Sequence, residues 1–141
     1  KFEEIKIKNG LETFGLGTGA AVADIDGDGI LELLVSHGET GLQPLTLYKA
    51  DINEFNYLRI KPFNKYGAPA RGSTVTLKSN KRIHSKTIDA GSGYLCQMEP
   101  VAHYGIRENE NDIKVEIKWT DGSTTSLNIK DLNKTYEVKQ N

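Results

Sequence analysis

The sequence predicts an all-β chain: a short strand–loop–strand unit followed by an antiparallel β-sandwich. Two observations carry that expectation. Apolar residues recur at every second position in several short windows, and no long window shows the 3.6-residue period of an amphipathic helix. Period two gives a strand one buried and one wet face.

The first elements flank an acidic loop. Ala20-Ala21-Val22-Ala23 and Leu33-Leu34-Val35 read as short buried strands, and between them runs Asp24-Ile25-Asp26-Gly27-Asp28-Gly29-Ile30-Leu31-Glu32. Three carboxylates alternate, and a fourth follows after a glycine. Calcium takes six to eight oxygen ligands at about 2.3–2.6 Å, supplied by carboxylates and backbone carbonyls. The expected ligands are the side chains of Asp24, Asp26, Asp28 and Glu32 and the carbonyl of Ile30, with Gly29 allowing the sharp turn because it has no Cβ. An EF-hand needs a bidentate acid at loop position twelve between two helices. Position twelve counted from Asp24 is Val35, the acid stands at position nine, and the flanks are strands, so the pattern is a strand–loop–strand site. A solvated acidic turn is the plain alternative. Four acids packed this closely repel one another unless a cation neutralises them.

The later elements follow in order. Leu58 and Ile60 alternate with Tyr57, Arg59 and Lys61, and Val75 and Leu77 alternate with Thr74, Thr76 and Lys78. Tyr94-Leu95-Cys96-Gln97-Met98 reads as a strand, with Cys96 a small buried hydrophobe on the side shared by Tyr94 and Met98. Ile113, Val115, Ile117 and Trp119 form a buried face, which makes Trp119 core, and open a hairpin through Thr120-Asp121-Gly122. A two-residue Asp-Gly loop would oppose Leu127 to Glu116 and mix the faces. A three-residue loop with Gly122 left-handed pairs Ile117 with Thr125, Val115 with Leu127 and Ile113 with Ile129, so the faces agree. Tyr136 and Val138 belong to a final strand. A composition shift near Asp51-Ile52-Asn53-Glu54-Phe55-Asn56 divides the chain into residues 1–52 and 53–141. The first part has no second copy of its acid loop. A lone strand–loop–strand unit cannot bury both its faces, so it either belongs to a propeller whose other blades lie elsewhere or packs on the second part.

Composition excludes some classes. Eighteen basic and nineteen acidic side chains give a net charge of −1, and the basic residues are scattered. No strong field points to nucleic acid or to a membrane surface. No apolar run approaches the roughly 20 residues of a membrane span. Lys1-Phe2-Glu3-Glu4 lacks the apolar stretch of a signal peptide, as a mature secreted protein or a fragment of one would. The single cysteine, Cys96, has no partner for an internal disulfide.

Other motifs are weaker. Gly15-Leu16-Gly17-Thr18-Gly19-Ala20 fits a dinucleotide fingerprint, but a strand and the acid loop follow it where the fingerprint needs a helix. Asp89-Ala90-Gly91-Ser92-Gly93 lacks the first glycine of a nucleophile elbow. His37, His84 and His103 have no zinc spacing with one another or with Cys96. Asn133-Lys134-Thr135 is an N-glycosylation sequon in a polar turn.

Phe14-Gly15, Gly19-Ala20-Ala21 and the acid loop together resemble an FG-GAP repeat, the calcium-loop blade of integrin-type propellers. Five further motifs resemble the ASPIC/UnbV domain: Asn56-Tyr57-Leu58-Arg59, Gly67-Ala68-Pro69-Ala70-Arg71-Gly72, Asp89 through Cys96, Glu99-Pro100-Val101-Ala102-His103-Tyr104-Gly105 and Trp119-Thr120-Asp121-Gly122. Their order, with Ser36-His37-Gly38-Glu39 after the loop, is similar to the cartilage acidic protein family. Arg107 stands where that pattern expects Gly, and Thr120 where it has Pro. The resemblance implies a secreted, non-enzymatic extracellular-matrix or receptor-binding protein, of which this chain is a C-terminal portion.

The expected function is thus a calcium-binding adhesion or recognition module in which the ion is structural. Its expected partner is an extracellular receptor or matrix component. Arg59, Lys61, Arg71, Lys81 and Arg82, read as solvent-facing, would suit a sulfated glycan. Two rivals stand beside it. One is a carbohydrate-binding sandwich stacking sugar on Tyr57, Tyr66, Tyr94 or Trp119. The other is a metal-dependent hydrolase with His37 near the acids.

Overall fold

The structure is a computed structural model, which describes residues 17–38, 41, 43–50, 55–89 and 91–141. Phe14-Gly15 and most of the expected boundary segment lie outside them. Ten strands and no helix occur among the described residues. The first sheet is β1 (Gly17–Ala23), β2 (Glu32–His37) and β3 (Thr46–Tyr48), antiparallel in that order. Ala23 pairs with Glu32, so the acid loop is the connection between β1 and β2.

The remaining strands form two sheets. One holds β4 (Asn56–Phe63), β7 (Ala102–Ile106) and β10 (Lys134–Lys139), in the order β10-β4-β7. The other holds β5 (Thr74–Lys78), β6 (Ile83–Thr87), β8 (Lys114–Lys118) and β9 (Thr124–Asn128), in the order β6-β5-β8-β9. Leu58, Ile60, Tyr104 and Ile106 of the first face Val75, Leu77, Val115 and Ile117 of the second in one buried core. Burying each such side chain contributes about 1.5–3 kcal/mol. The Tyr104 hydroxyl crosses between the sheets and donates to the Val75 carbonyl at 2.8 Å, so the one polar atom of that ring is satisfied.

The hairpin register agrees with expectation. Ile117 opposes Thr125, Val115 opposes Leu127, and the Ile129 N–H donates to the Ile113 carbonyl at 3.0 Å. Gly122 has φ 88°, the left-handed conformation that a three-residue loop requires. Trp119 is buried, as its place in the alternation predicts.

Two expectations are corrected. The sandwich is not wholly antiparallel, because β10 runs parallel to β4, from Lys134 opposite Leu58 to Lys139 opposite Phe63. Parallel neighbours need a long crossover. Here the chain leaves β4, builds the other sheet and β7, and returns in the same direction. Residues 94–98 are not a strand either. Gly93 bridges Cys96 across a tight turn, and Leu95 takes φ 53°. Tyr94 and Leu95 at its tip are exposed. Cys96 is half-buried beside Gly19 of β1, close enough that a Cβ there would lie 2.7 Å from the Cys96 sulfur. No helix of the described residues is long and apolar enough to cross a membrane.

Candidate cation-binding loop

The loop between β1 and β2 folds around its own carboxylates. The Ile25 N–H donates to Glu32 Oε2 at 2.8 Å, Gly29 N–H to Asp24 Oδ2 at 3.2 Å, Asp28 N–H to Asp26 Oδ1 at 3.2 Å, and Ile30 N–H to Asp28 Oδ1 at 2.8 Å. Asp24 and Glu32 are buried at the base, while Asp26 and Asp28 are exposed at the tip. One oxygen from each of Asp24, Asp26 and Asp28 lies within 4.8 Å of the others. Oxygens bound to a common calcium ion at 2.3–2.6 Å are separated by at most about 5 Å, so this spacing is compatible with shared ligation.

Buried oxygens test the fit further. Asp24 Oδ1 and Glu32 Oε1 are buried and accept no hydrogen bond. A buried carboxylate oxygen without a partner is costly, and coordinating a metal is one of the few ways to compensate it. The donor set is all oxygen, as a hard cation prefers. Asp24, Asp26 and Asp28 thus bring one oxygen each together, while Glu32 is tied to the base of the loop through the Ile25 N–H. Ile30 sits in the same turn with its N–H used by Asp28.

Three residues around the loop were not singled out for it by sequence: Lys49, Arg59 and Tyr57. Arg59 lies on the outer face of β4, opposite the core, so its predicted parity is right. Its predicted exposure is wrong, because the acid loop covers that face. Arg59 Nη1 lies 3.0 Å from Asp24 Oδ2, and Nη2 lies 2.5 and 2.6 Å from the two Glu99 oxygens. Tyr57, on the same face, stacks on His103 with ring centroids 6.0 Å apart. Gly29 presses against the Tyr57 ring. Its φ is +86°, and a Cβ there would lie 2.0 Å from a ring carbon, so this glycine serves both the turn and the close approach. Lys49, just past β3, reaches Asp26 and lies 2.9 Å from Asp28 Oδ2 and 3.6 Å from Glu32 Oε1. The Lys49 hydrogen bond holds the Asp28 carboxyl below its ordinary range, helped by the Ile30 N–H. The same acids push the Lys49 ammonium well above its ordinary value. Nothing in the order of residues ties Lys49 to acids some twenty positions away. A signal for Arg59 existed only in its motif with Asn56, Tyr57 and Leu58.

The other basic residues read as free are mostly engaged. Arg71 donates to the Asp89 carbonyl at 2.8 Å, and Arg82 Nε lies 2.7 Å from buried Glu110 Oε1. Lys61 makes a loose pair with Glu137 at 3.4 Å. Glu110 also closes the turn at Arg107 by accepting its N–H at 3.1 Å. His37 sits at the opposite end of β2 from Glu32, its Nδ1 2.8 Å from the Pro44 carbonyl, so it does not join the acids. An open cleft of about 1000 Å³ lies beside the loop, lined in part by Asp28, Phe55, Tyr57 and Asn133. Tyr66 and Tyr94 are exposed on separate turns and do not line it.

His103 gives the module a pH dependence. Burial pushes its pKa below 6.5, nearby Lys86 and Arg59 push the same way, and Asp24 and Glu99 oppose them. His84 is lowered as well, by burial and then by Lys86 and Arg82. With folded values below the unfolded one, the unfolded chain binds more protons in that window, so stability rises with pH there. The expected result is full stability above pH 6.5 and a progressive fall in melting temperature as pH drops below it, flattened in His103→Gln. Calorimetric melts across pH test this, and an unchanged profile in the variant would refute it.

A family model described as ASPIC and UnbV matches residues 64–141, starting just after β4. Human cartilage acidic protein 1 is 46% identical over 129 residues, which cover 90% of this chain and 19% of that protein. The Mus musculus protein of the same name is 43% identical over 140 residues, covering 96% and 22%. The one from Xenopus tropicalis is 45% identical over 129 residues, covering 90% and 20%. The chain thus spans about a fifth of the length of these relatives. A sandwich that the family model covers from the end of β4 to its last strand makes this chain a member of the ASPIC and UnbV family.

Proposed function

We propose that this chain is a calcium-binding, non-catalytic module of a secreted extracellular-matrix protein. In this reading residues 1–52 belong to an FG-GAP-type propeller blade, and residues 53–141 form the ASPIC/UnbV sandwich that presents a recognition surface. Asp24, Asp26, Asp28 and Glu32 hold the ion through side chains, and Ile30 through its carbonyl. The ion's task is structural: it neutralises the acids and fixes the β1–β2 connection against the outer face of β4. The observation that carries this is the buried Asp24 Oδ1, which accepts no hydrogen bond, together with Glu32 Oε1, which also accepts none and has only the Lys49 ammonium 3.6 Å away.

Placement in the matrix is supported by the name and identity of the cartilage acidic protein relatives. The partner is an extracellular receptor or matrix component. A sulfated glycan would have to rely on Lys61 and Lys81, since Arg59, Arg71 and Arg82 are held by the chain's own groups. Asn133 offers a glycan acceptor on the surface. Its Oδ1 accepts the Tyr57 N–H at 2.9 Å, a bond that a glycosylated amide keeps.

Calcium titration by calorimetry tests the reading. The parent chain binds one ion, and Asp26→Ala weakens binding by more than about tenfold, since even groups outside the ligand set cost about 10–100-fold when lost. Unchanged affinity in Asp26→Ala would defeat the assignment.

A further inference from the structure

We propose that Lys49 is a tethered counter-cation that occupies the acid loop in the absence of metal and that calcium has to displace, an inference resting on the calcium reading above. Lys49 follows Tyr48, which pairs with Leu33 next to Glu32. That register delivers its side chain to the mouth of the loop. Its ammonium touches Asp26 and Asp28 and lies 3.6 Å from Glu32 Oε1. These are three of the four carboxylates assigned to the ion. An ammonium and a divalent ion drawing on the same three carboxylates would sit within a few ångströms of each other and repel, so occupancy is an exchange.

Each residue has a distinct part. Arg59, from the sandwich, compensates Asp24 at the base of the loop. Lys49 compensates the exposed tip. Asp24 Oδ1 remains without a partner, and its side chain is 0% exposed. That oxygen is the one an ammonium at the tip leaves unserved and an entering ion would take. Lys49 is partly exposed on a flexible four-carbon stem, so it is free to swing into water when the ion arrives. Two consequences follow. The loop keeps its shape without metal. Its apparent affinity is also lowered by the fraction of molecules in which Lys49 is out of the site.

The test uses the whole chain. Calcium chloride is titrated calorimetrically into the parent and Lys49→Gln. In parallel, the parent is acylated with an amine reagent in EDTA and in saturating calcium, and Lys49 modification is read by peptide mass spectrometry. Lys49→Gln is expected to bind about tenfold tighter, as when a competent fraction of about a tenth rises to one, and to melt lower than the parent in EDTA. Lys49 of the parent is expected to react several-fold faster in calcium. Calcium binding by the parent with unchanged Lys49 reactivity overturns the exchange, whatever the variant does, and leaves the calcium reading intact. Absence of binding in both chains overturns the calcium reading and the exchange together.

Discussion

Arg59→Met is expected to cost the fold about 3–5 kcal/mol, the usual penalty for leaving one half of a buried ion pair behind. The side chain of Arg59 is 11% exposed and that of Asp24 0%, so water cannot take over the guanidinium's role. Glu99 loses its partner in the same substitution. For a domain of this size the loss corresponds to a fall of about 10–20 °C in melting temperature. Two comparisons identify the cause. Asp24→Asn in the Arg59→Met background should recover part of the loss, because it removes the stranded charge, and a double-mutant cycle reads that coupling. If the loop binds calcium, saturating metal should also shrink the loss. A cost below about 1 kcal/mol would show that the pair does not hold the loop to the sandwich.

Trp119→Ala is the second large effect, with an expected cost of about 3–5 kcal/mol. The indole is 3% exposed and its Nε1 donates to Thr125 Oγ1 at 2.9 Å across the hairpin. Truncation opens a cavity and removes the bond to the partly buried Thr125 hydroxyl. Trp119→Phe keeps most of the volume and should cost about 1–2 kcal/mol, mainly the hydrogen bond. Tyr66→Ala and Tyr94→Ala, at exposed turns, should stay within about 0.5 kcal/mol. Thermal unfolding followed by circular dichroism measures all four without relying on indole fluorescence. A near-neutral Trp119→Ala would place the indole outside the core and revive the sugar-stacking reading.

Legibility in the sequence followed the range of the interaction. Alternation over residues 57–61, 74–78 and 113–119 marked core faces correctly, because burial on one side of a strand imposes a local period. The hairpin register was legible because its turn and its faces had to agree over about fifteen residues. The acid loop was legible because all its carboxylates lie within nine consecutive positions. Residues 94–98 misled because an apolar run carries no record of the left-handed Leu95 that turns it.

The sequence by itself determined the all-β class, the core faces and the acid loop. Only the tertiary structure decided that β10 returns parallel to β4, that Arg59 points into Asp24 and Glu99 instead of into water, and that Lys49 reaches the loop's carboxylates. The reason is physical: a strand's period states which residues share a face, but which element covers that face depends on long-range packing. Charge pairs between distant positions leave no periodic trace.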